Sequence, residues 1–305
     1  MTTPLPPPIP LRAYMRFGTL LPRGRFVWWY CITGALVLVG GILFASLLQG
    51  AEHESNAATH HVNMLLVGII FILAALLPPW LNTQRVYAQD FPAPKGLLGW
   101  RMGVVVAMMA LIQIVMALFE ALTPNARAAS EQVARSLQLG LGFWPDVAVV
   151  LAVAVMAPLS EELLFRGLFY RSLRDGLARW MPLRFSGSMG VVLSSLLFTV
   201  MHVGDGQITQ WPALFIMGVL LALTYEWTGS LLAPMLVHAL NNTFALFAML
   251  SLPDVRFSSH WIELLTACSP LLVLALGWLL RLLPQAPSSR LAHPLAHAVE
   301  PPPLP

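Results

Sequence analysis

The chain has 305 residues, of which 57% are hydrophobic and only 10% charged, and its mean hydropathy is +0.73. Ordinary soluble domains carry about 25% charged residues, so this composition excludes a soluble globular protein and indicates a polytopic membrane protein. The formal net charge is +3, but no cluster of basic and aromatic residues indicates a nucleic-acid site, so nucleic acid is excluded as a partner.

Apolar stretches that are long enough to cross a bilayer recur along most of the chain. About 17 to 25 residues span a hydrocarbon core of about 30 Å. We therefore predict an all-α fold, a polytopic bundle of about eight transmembrane helices at residues 26–48, 62–81, 100–122, 145–167, 189–205, 211–227, 231–251 and 262–282. The fourth to the seventh span are joined by short connections, which predicts that they form one compact bundle.

Proline-rich ends and the grouping of the spans predict the domain organisation. We expect a cytoplasmic tail at 1–25, N-terminal transmembrane helices at 26–140, a helical core at 141–252, a last transmembrane helix at 253–282 and a disordered cytoplasmic tail at 283–305. The core contains most of the polar residues that the spans carry.

Lysine and arginine are distributed unequally between the connections. If both termini are cytoplasmic, fourteen of the 17 basic residues lie on that side, and only Arg127, Arg135 and Arg256 lie outside. This is the bias of the positive-inside rule. The excess of arginine over lysine is also typical of GC-rich bacterial genomes. We expect a multi-pass protein of a bacterial inner membrane with both termini in the cytoplasm.

The fourth span ends in three ionisable residues, Glu161, Glu162 and Arg166. Adjacent helical residues point about 100° apart, whereas residues four apart share a face. Glu162 therefore pairs with Arg166, and Glu161 is left to face the interior of the bundle. The alternative is a charged helix end that snorkels at the membrane surface.

Two later spans carry polar residues at the same spacing of four. Phe198 and His202 share one face of the fifth span, and His238 and Asn242 share one face of the seventh. Polar groups at this depth cost several kcal/mol unless they find partners within the bundle. Hydrogen bonding that only holds the helices together is the alternative explanation.

Together these residues supply the groups that activate water. Glu161 can act as general base, positioned by His202, while His238 and Asn242 donate hydrogen bonds to an oxyanion. Alternatively, Glu161, His202 and His238 can hold a divalent metal such as zinc and leave a fourth position for water. The sequence does not decide between the two.

Three short motifs occur in a fixed order on successive spans: "EELLFR", "FTVMH" and "HALNN". In this order the chain resembles the CAAX-protease and bacteriocin-processing (CPBP, or Abi) family of intramembrane endopeptidases, over roughly residues 145–250.

The resemblance implies that Glu161, His202, His238 and Asn242 form the catalytic set, with Glu162 and Arg166 in support, and Phe198 belongs to the second motif. It also implies hydrolysis of a peptide bond of a membrane-associated peptide or protein within the lipid bilayer. Both a zinc-dependent and a metal-free glutamate mechanism are described for this family.

The leading hypothesis is therefore an intramembrane protease. The alternatives are a non-catalytic scaffold or bacteriocin immunity factor, and a proton-coupled transporter. For the two histidines to meet, we expect residues 173–190 to lie along the cytoplasmic interface and the fifth helix to start near Val192. His202 and His238 should then lie within about 12 Å of each other, in a cavity open to the cytoplasmic half. Glu120 and Glu226, at span ends, are expected to be interfacial.

Overall fold

The computed structural model describes residues 29–50, 57–81, 99–124, 126–202, 210–252 and 255–280, and these are almost entirely helical, with no β-strand among them. The helices are α1 (Trp29–Gly50), α2 (Ala57–Leu81), α3 (Trp100–Leu122), α4 (Ala126–Ser136), α5 (Phe143–Leu177), α6 (Leu183–Met201), α7 (Trp211–Thr228), α8 (Leu232–Met249) and α9 (His260–Leu279). The tails predicted at 1–25 and 283–305 lie outside the described residues.

Each of the eight predicted spans corresponds to one long helix. By length and composition, α3 and α5 to α9 can each cross a membrane, and α1 and α2 contain the shorter apolar stretches Tyr30–Leu43 and Asn63–Leu77. Much of the apolar surface of α3 points outward, including Val106, Ile114 and Leu118, as expected for side chains that face lipid. The prediction of an all-α polytopic bundle is confirmed, whereas the division into domains stays a prediction.

Helix α5 differs from an ordinary transmembrane helix in length and in winding. It is 35 residues long and contains two π-helical segments, Leu151–Met156 and Glu162–Tyr170. In the first segment the N–H of Ala157 donates to the carbonyl of Ala152, five residues back. Such wide turns are rare and occur frequently at functional sites, because they free backbone groups and rotate the side chains that follow.

The start of α6 corrects one expectation. The helix begins at Leu183, directly after Pro182, so residues 183–190 form its first turns and do not lie as a separate interfacial segment. Proline is suited to the start of a helix because it has no N–H to leave unpaired. The predicted start near Val192 was therefore wrong.

The two histidines lie at one level in the bundle partly because α6 and α8 begin at different depths. Glu226, near the end of α7, contacts Tyr170 and Arg174 of α5. The turn between α7 and α8 therefore lies beside this part of α5, whereas the turn between α5 and α6 lies farther along, at 178–182. Helix α8 thus begins about two turns deeper in the bundle than α6, which offsets about half of the difference between the positions of the histidines along their helices.

Candidate active site

A carboxylate and two imidazoles meet at the centre of the bundle. Oε2 of Glu161 lies 3.3 Å from Nε2 of His202 and 3.9 Å from Nε2 of His238. Three helices supply these groups, α5, α8 and the C-terminal end of α6. Because both nitrogens lie less than 4 Å from one oxygen, the imidazoles are well within the 12 Å that the sequence analysis required.

His238 is held by a buried pair of opposite charges. Its Nδ1 lies 3.0 Å from Oε1 of Glu162, and the same oxygen accepts a 2.7 Å hydrogen bond from Nη1 of Arg166. Nη2 of Arg166 donates to the carbonyl oxygen of Gly218 on α7 at 2.9 Å. All three side chains are at most 2% exposed, so Glu162 fixes which nitrogen of His238 faces Glu161. The predicted pairing of Glu162 with Arg166 is confirmed.

His202 is oriented by its own helix. Its Nδ1 donates to the carbonyl oxygen of Phe198 at 2.7 Å, which leaves Nε2 to face Glu161. The ring of Phe198 packs against both imidazoles, with centroid distances of 4.3 Å to His202 and 6.1 Å to His238. Phe198 also contacts a cation: the guanidinium carbon of Arg166 lies 4.8 Å from the centre of the Phe198 ring. Phe198 thus contacts both histidines and the buried arginine.

Asn242 closes the site from α8. Its Nδ2 donates to the carbonyl oxygen of Val153 at 2.8 Å. In a π turn that carbonyl would accept from the residue five positions on, which is Pro158 and has no N–H. The side chain of Asn242 therefore satisfies a buried carbonyl that the winding of α5 leaves without a backbone donor.

A cavity of about 530 Å³ opens beside these groups. Among the predicted site residues, Glu161, His202, His238 and Asn242 line it; Glu162, Arg166 and Phe198 support it from behind. The rest of the wall is mostly apolar and rich in methionine: Met64, Val67, Phe71, Met116, Leu214, Met217, Leu246 and Met249. These four polar residues therefore lie in the wall of a mostly apolar cavity.

Two carboxamides near the site were missed by the sequence analysis. Asn241 lines the cavity, and its Oδ1 accepts a 3.2 Å hydrogen bond from Nε2 of Gln113 on α3. The signal for Gln113 was a single polar residue in the middle of an otherwise apolar span. Such a neutral side chain is a weaker signal than an ionisable group, which is costlier to bury.

Glu226 is not interfacial, and that expectation is wrong. The carboxylate is only 2% exposed, accepts a hydrogen bond from Tyr170 and lies 3.3 Å from Nη1 of Arg174, which also pairs with Asp175. A position at the end of a helix does not distinguish an exposed acid from one covered by a neighbouring helix. This buried charge cluster joins α7 to α5 about two to four turns from Glu161. Glu120, by contrast, is exposed, as expected.

The donor atoms match a zinc centre only in part. Tetrahedral zinc, with bonds of about 2.0–2.2 Å, separates its ligand atoms by about 3.3–3.5 Å. The distance from Glu161 to His202 fits this edge, but the 3.9 Å to His238 exceeds it. Within the described ranges no group of three or more His, Cys, Asp or Glu side chains has the arrangement of a metal centre.

The part of the chain that builds this site matches a known protein family. Residues 143–244 match the family model described as type II CAAX prenyl endopeptidase Rce1-like. Over this segment the chain is similar to the CPBP family. All seven predicted site residues lie within the matched segment, while α1 to α4 and α9 lie outside it.

Two relatives each match about a third of the chain. The "Membrane-embedded CAAX protease MroQ" of Staphylococcus aureus (strain USA300) is 30% identical over 102 residues, which are 33% of this chain and 39% of the relative. The "Uncharacterized 24.3 kDa protein" of Escherichia coli is 32% identical over 105 residues, which are 33% of this chain and 45% of the relative. The match thus spans less than half of either relative, and no solved structure matches the chain significantly.

Proposed function

We propose that the protein is an intramembrane endopeptidase that hydrolyses a peptide bond of a membrane-associated substrate, with Glu161 as the base that activates water. One observation carries the proposal. A carboxylate oxygen, Oε2 of Glu161, is buried between two imidazole Nε2 atoms at the wall of an apolar cavity, and among the described residues it has no hydrogen-bond partner of good geometry. Groups that only held helices together would satisfy one another.

The charges around the cavity favour a definite division of roles. Two carboxylates, Glu161 and Glu162, accompany one guanidinium, that of Arg166, so one protonated imidazole balances the buried charge. We assign this proton to Nε2 of His238, because its Nδ1 already donates to Glu162. His202 lies beside Glu161, with Nε2 3.3 Å from Oε2.

Hydrolysis then proceeds in two proton-balanced steps. Glu161 takes a proton from water as the water oxygen attacks the substrate carbonyl carbon, and the carbonyl electrons move onto its oxygen. The N–H groups of His238 and Asn242 stabilise that oxyanion. When the C–N bond breaks, Glu161 gives its proton to the leaving amine, which yields a new carboxyl terminus and a new amino terminus.

The cavity and the family favour a substrate that is embedded in the membrane. An apolar chamber of about 530 Å³ accommodates several hydrophobic side chains, and its four methionines adapt to different shapes. The activity named for the staphylococcal relative, a CAAX protease, belongs to that protein; for this chain we propose a CAAX-protease-like reaction in a bacterial inner membrane. The cytoplasmic location of both termini stays a prediction.

The test compares newly formed peptide termini in the membrane proteome of cells at equal expression levels. Wild type is compared with Glu161→Gln, which keeps the size of the side chain but removes the base. Glu120→Gln, an exposed acid at the end of α3, is the matched control. We expect termini that occur with wild type and Glu120→Gln and disappear with Glu161→Gln. Identical profiles for all three would refute the protease and favour the scaffold or immunity role.

Zinc dependence is a separate question for the same residues. A bound zinc would be held by Glu161, His202 and His238 and would supply a Lewis acid at the cavity wall. Because the distance to His238 is too long for a preformed tetrahedral site, the steps above assign the chemistry to the side chains alone. Metal analysis of the purified protein, with His202→Ala as the reference, decides the matter.

A further inference from the structure

Three carboxamides form a directed chain of hydrogen bonds from α3 into the active site. Nε2 of Gln113 donates to Oδ1 of Asn241 at 3.2 Å, and Nδ2 of Asn241 donates to Oδ1 of Asn242 at 3.3 Å. Nδ2 of Asn242 in turn donates to the carbonyl oxygen of Val153 at 2.8 Å. Every link runs in the same direction, so the orientation of each amide is fixed by its neighbours.

The direction of this chain is set by the carbonyl of Val153, which can only accept. Asn242 must donate to it and therefore offers its oxygen to the nitrogen of Asn241. Gln113 donates to the oxygen of Asn241 and so holds this side chain with its nitrogen toward the cavity. There Nδ2 has Asn242 as one acceptor, and its other contact is the sulfur of Met217 at 3.6 Å, a weak acceptor.

We infer that Asn241 is a substrate-binding residue that donates to a backbone carbonyl of the bound peptide, and that Gln113 is the positioning residue that holds it in this orientation. This inference rests on the proposed function. An amide nitrogen has two hydrogens; one goes to Asn242, and only a thioether competes for the other. Asn241 also lines the cavity itself. A substrate carbonyl is a much better acceptor than a thioether and replaces Met217 when the peptide binds.

Asn241 differs from the two oxyanion donors in its direction around α8. It lies between His238 and Asn242 along the helix axis, but points about 100° away from Asn242. Since His238 and Asn242 take the oxyanion, the acceptor that we assign to Asn241 is a carbonyl one or two residues from the cleaved bond, at about 3.3 Å per residue of an extended peptide. Asn241 then contributes to substrate binding in the ground state.

Loss of this hydrogen bond should change KM and leave kcat nearly unchanged. Asn241→Leu and Gln113→Met should each raise KM, by about 5- to 20-fold for Asn241→Leu and less for Gln113→Met, with kcat within about twofold of wild type. The double variant should match Asn241→Leu alone, because Gln113 acts only through Asn241. Neither Gln113 nor helix α3 lies in the segment that matches the family model.

The probe is a synthetic peptide that spans a cleavage site from the terminus comparison, assayed with purified protein in detergent micelles. A second version carries a reduced peptide bond, CH2–NH in place of CO–NH, at the first and then at the second bond from the cleaved one. For one of these reduced peptides, the KM of wild type should rise by the same factor by which Asn241→Leu raises the KM for the unmodified peptide. Asn241→Leu should not distinguish that peptide from the unmodified one. Glu120→Gln serves as the control variant.

Each outcome bears on the inference. Additive effects of Gln113→Met and Asn241→Leu, a loss confined to kcat, or equal sensitivity of wild type and Asn241→Leu to both reduced peptides would overturn it. Asn241→Asp, which retains an acceptor for Gln113 but loses the donor, is a second test if Asn241→Leu does not fold, and it should also raise KM. If Glu161→Gln abolishes cleavage while all the carboxamide variants behave as wild type, this inference fails and the proposed function stands. If Glu161→Gln cleaves normally, the proposed function fails first.

Discussion

Removing the charge of Glu162 should separate the stability of the protein from its activity. Glu162 is the acceptor for both Arg166 and His238, and all three side chains are at most 2% exposed. Glu162→Leu therefore leaves a buried guanidinium without a counter-charge, for which we expect a loss of about 3–5 kcal/mol in the free energy of unfolding. The imidazole of His238 loses its acceptor at the same time, so activity should fall as well.

Replacing both charges distinguishes these two effects. In Glu162→Leu/Arg166→Met no unpaired charge remains, and apolar side chains of similar size fill the space. Since such replacements are often neutral or stabilising, we expect most of the lost stability to return. Activity should not return, because nothing holds Nδ1 of His238, and a histidine without its orienting carboxylate loses much of its effect in catalysis.

The assay is reversible unfolding by SDS in mixed micelles, followed by tryptophan fluorescence, with cleavage of the probe peptide measured on the same samples. Glu263→Leu is the matched control, since Glu263 lies 3.3 Å from His260 in an exposed pair and its removal should change stability little. A single variant as stable as wild type, or a double variant as unstable as the single one, would refute the interpretation of the buried pair. So would a double variant with full activity.

Three further predictions concern the surroundings of the site. Tyr170→Phe removes the hydrogen bond to the buried carboxylate of Glu226 and should lower the free energy of unfolding by about 1–3 kcal/mol; an unchanged SDS midpoint would contradict this. Gly218→Ala places a Cβ 3.1–3.3 Å from the Cβ, Cα and Oγ atoms of Ser195, so α6 and α7 must move apart and cleavage should fall more than stability does. Wild-type activity should survive exhaustive chelation, and the purified protein should contain much less than one zinc per chain; one equivalent that is lost together with activity would contradict the metal-free steps.

The sequence is sufficient for the parts of the site that depend on helical spacing. Glu162 with Arg166, and Phe198 with His202, are neighbours because residues four apart share a face, whatever the rest of the fold does. The same spacing leaves Glu161 on a different face from Glu162. Long apolar segments likewise predict a bundle of helices, because in lipid every backbone N–H and C=O group needs a hydrogen-bond partner within the protein.

The remaining geometry depends on contacts between distant segments. Glu162 meets His238 across 76 residues, and the contact of Asn242 with Val153 exists only because α5 is wound as a π helix there. No periodicity in the sequence indicates that winding, although Pro158 within the span was a hint. Glu226 was misplaced for the same kind of reason, since its burial depends on which face of α5 packs over the end of α7.

The most direct test of the central claim is single-turnover cleavage of the probe peptide by purified wild type and Glu161→Gln in micelles, at matched folded concentration. If Glu161 is the base that activates water, the rate of bond cleavage should fall by about 10²–10⁴, while peptide binding stays within a few-fold of wild type. A Glu161→Gln variant that cleaves within a few-fold of the wild-type rate would contradict the account.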